Sequence, residues 1–219
     1  SKEREVRLSL SRSFASKAAR SLSEQAGQAA ETQANQARIS QIVSYNISGF
    51  FPTPTQLARR MVDLANIRVG DTILEPSAGA GHIADIIKES HPFNPLTLIE
   101  VSYTLCDVLK KKGYNPINAD FLGFNEQAYD RIIMNPPFEN GQDTEHTRHG
   151  FDVLKSGGRL VGIISVSSMF RSDRRSQEFR AWLESLSSAD IESLPADTFR
   201  KSDNPTSVNT CLVVIDKPE

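Results

Sequence analysis

Asn135-Pro136-Pro137-Phe138 follows directly on the apolar run Ile132-Ile133-Met134. Two successive prolines stiffen the backbone and remove two N–H donors, so the carbonyls of Asn135 and Pro136 stand as fixed acceptors. An exocyclic amine entering there can give one hydrogen to the Asn135 amide oxygen and the other to the Pro136 carbonyl. Its lone pair then turns toward an electrophile, which is positional and electrostatic catalysis. Phe138 adds a face on which a base drawn out of a helix can stack. Asn-Pro turns at strand ends are also common without such a role, so the motif needs a second element beside it.

That second element is Glu75-Pro76-Ser77-Ala78-Gly79-Ala80-Gly81, which follows the short apolar run Thr72-Ile73-Leu74. Gly79 and Gly81 remove Cβ atoms that would collide with a ligand, and the helix that follows offers free N–H groups. Such a turn alone also serves nicotinamide enzymes and purely structural strand-to-helix connections. The third glycine of the dinucleotide pattern is missing here, with Ala84 only a loose substitute. Glu75 would repel a pyrophosphate but attract the sulfonium and ammonium groups of S-adenosyl-L-methionine. Glu100 can accept both ribose hydroxyls, or is simply a surface carboxylate at a strand end. Asp120, with Phe121 beside it, can accept from an adenine amino group. His82, directly after the glycines, is placed to touch the cofactor without catalytic duty.

The elements that must position these groups alternate along the chain. Closely spaced prolines fix an extended stretch through Phe51-Pro52-Thr53-Pro54, after which Thr55 reads as an N-cap and Leu57, Met61, Val62, Leu64 and Ala65 recur at helical spacing. Strands are predicted over 72–74, 96–100, 116–119, 129–134, 159–166, 191–194 and 210–215. Helices are predicted beyond Gly81, around 105–112, over 144–154 and over 173–186. The fold class is α/β, a doubly wound, mostly parallel, seven-stranded Rossmann-like sheet with helices on both faces. In such sheets ligands bind beyond the carboxyl ends of the strands, where both motifs fall. Residues 1–44 are Ala-, Ser-, Gln-, Glu- and Arg-rich with few large apolar groups, and read as an N-terminal helical arm before a catalytic domain at 45–219.

The order Phe51-Pro52-Thr53-Pro54, Glu75 to Gly81, then Asn135 to Phe138 resembles the class I methyltransferases, specifically the N6-adenine DNA methyltransferases of the gamma arrangement. The resemblance runs from about residue 50 to 216. It implies cofactor contacts from Phe51, Pro52, Thr53, Glu75, Ser77, Ala78, Gly79, Gly81, Glu100, Val101, Asp120, Phe121 and Asn135, and catalysis by Asn135, Pro136, Pro137 and Phe138. Leu194 to Phe199 with Thr206 to Ile215 also looks like the closing segment of type I modification subunits, where an aromatic near Phe199 flanks the target base. Gamma enzymes usually append a target-recognition domain, whereas this chain ends at Glu219. Sequence readout is therefore expected from short loops, from the arm, or from another polypeptide, and the chain is expected either to work so or to be a piece of a larger protein.

A chain of 219 residues has room for one sizeable domain plus an accessory segment, at roughly 100–200 residues per domain. No apolar run reaches the roughly 18 residues of a membrane helix, and Ser1 to Arg20 lacks the apolar core of a secretory signal, so a cytoplasmic location without membrane association is expected. The net charge of −2 is a poor match to a freestanding nucleic-acid binder, but the first forty residues hold seven Lys and Arg against four Glu. Arg171, Arg174, Arg175 and Arg180 either contact phosphates, Arg171 and Arg174 foremost, or form a solvated helix paired with Asp173, Glu178 and Glu184. Cys106 and Cys211 read as buried structural thiols. His146 and His149 read as a solvated helical pair, and no metal site is expected.

The leading function is methylation of adenine N6 in DNA, of modification, phage or mobile-element type. RNA methylation at adenine N6 or guanine N2 uses the same acceptor geometry. Methylation of a protein glutamine amide is a third reading, disfavoured by Phe138 where Tyr is usual. A non-catalytic methyltransferase-fold subunit is a fourth, disfavoured by the intact motifs. The expected partner is nucleic acid, with a homodimer or partner subunit engaged through the arm.

Overall fold

The structure is a computed structural model that describes residues 21, 23–27, 51–126, 129–199 and 208–219. The chain divides between Asn46 and Ile47. Residues 21 and 23–27 are helical and exposed; the rest of the expected arm lies outside the described residues.

Within the second unit, seven strands form one sheet: β1 (Ile73–Glu75), β2 (Leu96–Glu100), β3 (Ile117–Asn118), β4 (Tyr129–Met134), β5 (Leu154–Ser165), β6 (Ala189–Ser193) and β7 (Thr210–Asp216), ordered 3-2-1-4-5-7-6. Strands β3, β2, β1, β4 and β5 run parallel, and β7 is antiparallel to both β5 and β6. This is the expected α/β, mostly parallel sheet. Its helices are α1 (Thr55–Ala65), α2 (His82–Ser90), α3 (Tyr103–Lys111), α4 (Gln142–Val153), α5 (Val166–Phe170) and α6 (Arg174–Ser185).

Successive side chains of a strand point to opposite faces, and both faces here are covered. Ile73, Ile133, Val161, Ile163 and Leu212 pack with Leu57, Met61 and Val62 of α1 and Ile83 and Ile87 of α2. Their neighbours Leu74, Ile132, Met134, Leu160, Ile164 and Val213 pack with Val153 of α4 and Phe179 and Leu183 of α6.

Several boundaries differ from expectation. Thr55 is the first helical residue; the N-cap position is Pro54, with no side-chain cap bond. The third strand shortens to two residues. Strand β5 begins at Leu154, where α4 ends, because Tyr129 pairs Leu154 and Arg131 pairs Arg159 across a register shift. That irregularity absorbs Ser156-Gly157-Gly158, with Gly157 at φ +72°. Cys106 and Cys211 are buried free thiols. Among the described residues no helix is long and apolar enough to cross a membrane.

Candidate active site

Strands β1 and β4 are parallel neighbours, so Glu75 and Asn135 emerge at the same end of the sheet, one strand apart. A cleft of about 230 Å³ opens there. Its walls come from the segment before α1 (Phe51, Pro52, Thr53), from the turn after β1 (Glu75, Ser77, Ala78, Gly79) and from the end of β2 (Glu100, Val101). Asp120, Phe121, Asn135, Pro136, Pro137, His82 and His146 complete it.

The turn after β1 is shaped by backbone bonds. Ala78 N–H donates to the Ile99 carbonyl at 3.0 Å, and Gly79 N–H donates to Glu100 Oε2 at 2.8 Å. Glu100 Oε1 accepts from Ser102 N–H at 2.8 Å. Glu100 thus joins the glycine turn to the end of β2, a task besides the ribose role expected of it. Burial raises its carboxyl pKa, opposed by these N–H donors.

Gly79 and Gly81 differ. Gly79, at φ +56°, lines the cleft, whereas a Cβ on Gly81, at φ +84°, would lie 2.9 Å from Leu109 of α3. The expectation that Gly81 clears space for a ligand is corrected: its missing Cβ lets α2 start in a left-handed conformation against α3.

Glu75 is buried and its Oε2 has no hydrogen-bond partner. Burial, with Asp85 and Glu100 nearby, pushes its carboxyl well above the ordinary carboxylate range. A buried carboxylate oxygen without a donor is costly, and a cationic ligand group removes that cost.

At the end of β4, Asn135 Nδ2 donates to the Phe51 carbonyl at 2.9 Å and to Thr53 Oγ1 at 3.1 Å. These two acceptors fix the amide's orientation and leave Oδ1 buried with no partner. The Phe138 ring stacks on Phe51 at 5.9 Å and meets Phe199 edge-on at 6.4 Å. Phe199 is only 1% exposed and packs in the core beside α1, so it backs Phe138 instead of opening to the cleft.

The arginines lie outside the cleft. Arg171 and Arg174 are exposed; Arg174 Nε pairs with Glu178 at 2.7 Å, while Arg175 pairs with Glu145 at 3.2 Å and donates to the Asn140 carbonyl at 2.7 Å. The histidine pair is not solvated, which overturns that expectation. His146 is buried with Nδ1 3.2 Å from Ser77 Oγ, and His149 Nε2 lies 2.6 Å from the Phe124 carbonyl. Both rings meet Phe121 edge-on. Phe121 is therefore a buried platform under α4 as well as a cleft residue. No group of three or more His, Cys, Asp or Glu suited to a metal occurs among the described residues.

The unpartnered oxygens of Glu75 and Asn135 fit a ligand that brings a cation to one and N–H donors to the other. S-Adenosyl-L-methionine carries the cation. The roles expected of Glu75 toward the sulfonium and ammonium, of Glu100 toward the ribose, and of Val101, Asp120 and Phe121 toward the adenine all fall on residues that line this one cleft.

Known proteins share the sequence family and the fold. The chain is 30% identical over 104 residues to ribosomal RNA small subunit methyltransferase C of Proteus mirabilis (strain HI4320), a match covering 42% of this chain and 31% of that protein. A modification subunit of a putative type I restriction enzyme from Vibrio vulnificus YJ016 superposes with a TM-score of 0.65 at 21% identity, over 85% of this chain and 48% of that one. A T. thermophilus 16S rRNA N2 G1207 methyltransferase, solved with AdoMet and guanosine, superposes with a TM-score of 0.54 at 17% identity, over 80% of this chain and 40% of that one. The chain thus spans about a third of that curated relative and less than half of these two structures. The fold is that of class I methyltransferases, and S-adenosyl-L-methionine is the cofactor. A family model covers residues 57–173, from α1 through the glycine turn and the Asn-Pro-Pro-Phe loop, and by that match the chain belongs to the methyltransferase small domain family.

Proposed function

We propose that this domain transfers a methyl group from S-adenosyl-L-methionine to an exocyclic amino nitrogen, N6 of adenine in DNA. The observation that carries this reading is the Asn135 amide: its NH2 is held by Phe51 and Thr53, and its buried oxygen has no partner. An amide locked in that sense offers an acceptor and no donor to what enters the cleft.

The target amine gives one hydrogen to Asn135 Oδ1 and one to the Pro136 carbonyl, and Pro137 keeps that carbonyl rigid. This removes the nitrogen lone pair from conjugation with the ring and turns it toward the cleft. The cofactor supplies an electrophilic methyl group when bound. Glu75 and Glu100 orient it, and after transfer the nitrogen, now cationic and strongly acidic, releases its surplus proton to water. Phe138, backed by Phe51 and Phe199, is a preset ring for the extruded base. Arg171 and Arg174, with Phe170 at 80% exposure, supply charge and an aromatic for the nucleic-acid backbone and neighbouring bases. The arm before residue 45 is the proposed contact to nucleic acid, a second copy or a partner subunit. The enzyme is proposed to act in the cytoplasm.

A second reading, adenine N6 or guanine N2 in RNA, is favoured by the 30% identity to a ribosomal RNA methyltransferase. Labelled S-adenosyl-L-methionine offered with duplex DNA, single-stranded DNA and ribosomal RNA separates the two after digestion to nucleosides. N6-methyladenine from DNA is the expected product. N6-methyladenine or N2-methylguanine from RNA would replace the DNA reading by the second. Absence of transfer to every acceptor, with the cofactor bound, would favour a non-catalytic binding subunit.

A further inference from the structure

Helix α4 leaves the catalytic loop through the turn at 139–141, and its first two turns bury a polar face: Asp143, Thr144, His146 and Thr147. Buried polar groups are costly unless bonded, so their partners show what the face is for. Asp143 Oδ2 accepts from Ser165 N–H at 2.7 Å, at the carboxyl end of β5, and from Ser168 Oγ at 2.9 Å, in α5. His146, three residues on, lies 3.2 Å from Ser77 Oγ in the glycine turn and lines the cofactor cleft. One face of α4 therefore fastens the segment after the catalytic loop to β5 on one side and to the cofactor turn on the other.

We propose that His146 is a positioning residue for methyl transfer, which through its bond to Ser77 registers α4, and with it the loop carrying Asn135, against the bound cofactor. The inference rests on the reading of the cleft as cofactor site and of Asn135 as amine acceptor. Burial pushes the imidazole pKa down to about 4, with Asp120 opposing and His149 adding to the shift. At neutral pH the ring is uncharged. On this proposal Nδ1 accepts from the Ser77 hydroxyl and the ring proton resides on Nε2, so that no positive charge is added beside a cationic ligand.

Two variants divide this role from mere filling of space. His146→Asn keeps an acceptor at the δ1 position, and His146→Phe keeps the volume without one. The Phe variant should fold, and at saturating cofactor its single-turnover methyl transfer should fall by about 10- to 100-fold, the scale of a misplaced reacting group. The Asn variant should recover most of that loss. Ser77→Ala should lower the rate at saturating cofactor as the Phe variant does, and the double variant should lose no more rate than either single one. A Phe variant that transfers at the parent rate, or an Asn variant no better than Phe, overturns the proposal. Nitrogen NMR of the His146 ring provides a readout independent of activity: an unprotonated Nδ1 at neutral pH is expected, and a proton on Nδ1 overturns it. If the parent protein binds no S-adenosylhomocysteine, it is the reading of the cleft that fails.

Discussion

The turn after β1 and the loop after β4 leave adjacent parallel strands at one end of the sheet, yet they present their acceptors in different chemical forms. Around the glycine turn the acceptors are carboxylates, Glu75 and Glu100, held by backbone N–H groups and driven by burial toward protonation. In the catalytic loop the acceptors are neutral, an amide oxygen and a proline carbonyl, and the amide is aimed by the segment before α1. A charged wall suits a ligand that arrives as a cation. A neutral wall suits an uncharged amine, whose two N–H groups need acceptors and no counter-charge.

The hardest test of the contrast is at the catalytic loop. Asn135→Ala should reduce methyl transfer by roughly 100-fold or more, the loss seen when a preorganised hydrogen-bonding group is deleted, while S-adenosylhomocysteine binds nearly as before. Single-turnover rates beside calorimetric affinities measure both. A variant that keeps the parent rate would make the loop a structural turn.

On the charged side the effect should appear in binding. Burial raises the Glu75 carboxyl pKa, so the protein without cofactor holds that proton to higher pH than the unfolded chain does. Stability of the free protein should therefore fall as pH climbs through the raised value. Affinity for the cationic cofactor should climb over the same window, because the cation prefers the ionised carboxylate, and binding should release a proton. Calorimetry in buffers of different ionisation enthalpy detects that release; an enthalpy independent of buffer refutes it. Glu75→Gln should abolish it and weaken binding by about 1–3 kcal/mol, the scale of a hydrogen bond to a charged group.

Phe138 belongs to the neutral side. Phe138→Ala should weaken capture of the target nucleic acid by about 1–3 kcal/mol through lost stacking, and Phe138→Trp should retain much of the binding. Because the ring lies between Phe51 and Phe199, the Ala variant should also melt earlier. Earlier melting with unchanged binding would reduce Phe138 to packing.

How far the sequence announced these two walls depends on the range of the interactions involved. Strands β2 and β4 were legible because short apolar runs, Leu98-Ile99 and Ile132-Ile133-Met134, between turn signals are what a parallel sheet covered on both faces requires. The insertion of β7 between β5 and β6 was not, since strand order is decided by long-range pairing that leaves no local mark. The α4 histidines were misread for a related reason. Gln142 to His149 has no apolar stripe, so the segment looks solvated, and only the fold brings Ser77 and the end of β5 against its polar side. The clue present in the sequence was Asp143, His146 and Thr147 recurring on one helical face just after the Asn-Pro-Pro-Phe loop.

The smallest expected effect separates the two glycines of the charged turn. Gly81 begins α2 at φ +84°, where a side chain costs about 1–2 kcal/mol, and its added Cβ would press on Leu109 Cδ2, a side-chain tip able to give way. Gly81→Ala should therefore lower stability by roughly that amount in denaturant titration and leave cofactor affinity nearly unchanged. Gly79 also has positive φ, +56°, but it lines the cleft and its N–H holds Glu100. Gly79→Ala should lose both stability and cofactor affinity, because the strained turn moves the donor that positions Glu100. Equal affinity losses for the two variants would mean that Gly81 also faces the ligand, and that the turn works as one surface without the division between cleft and helix entry drawn from its contacts.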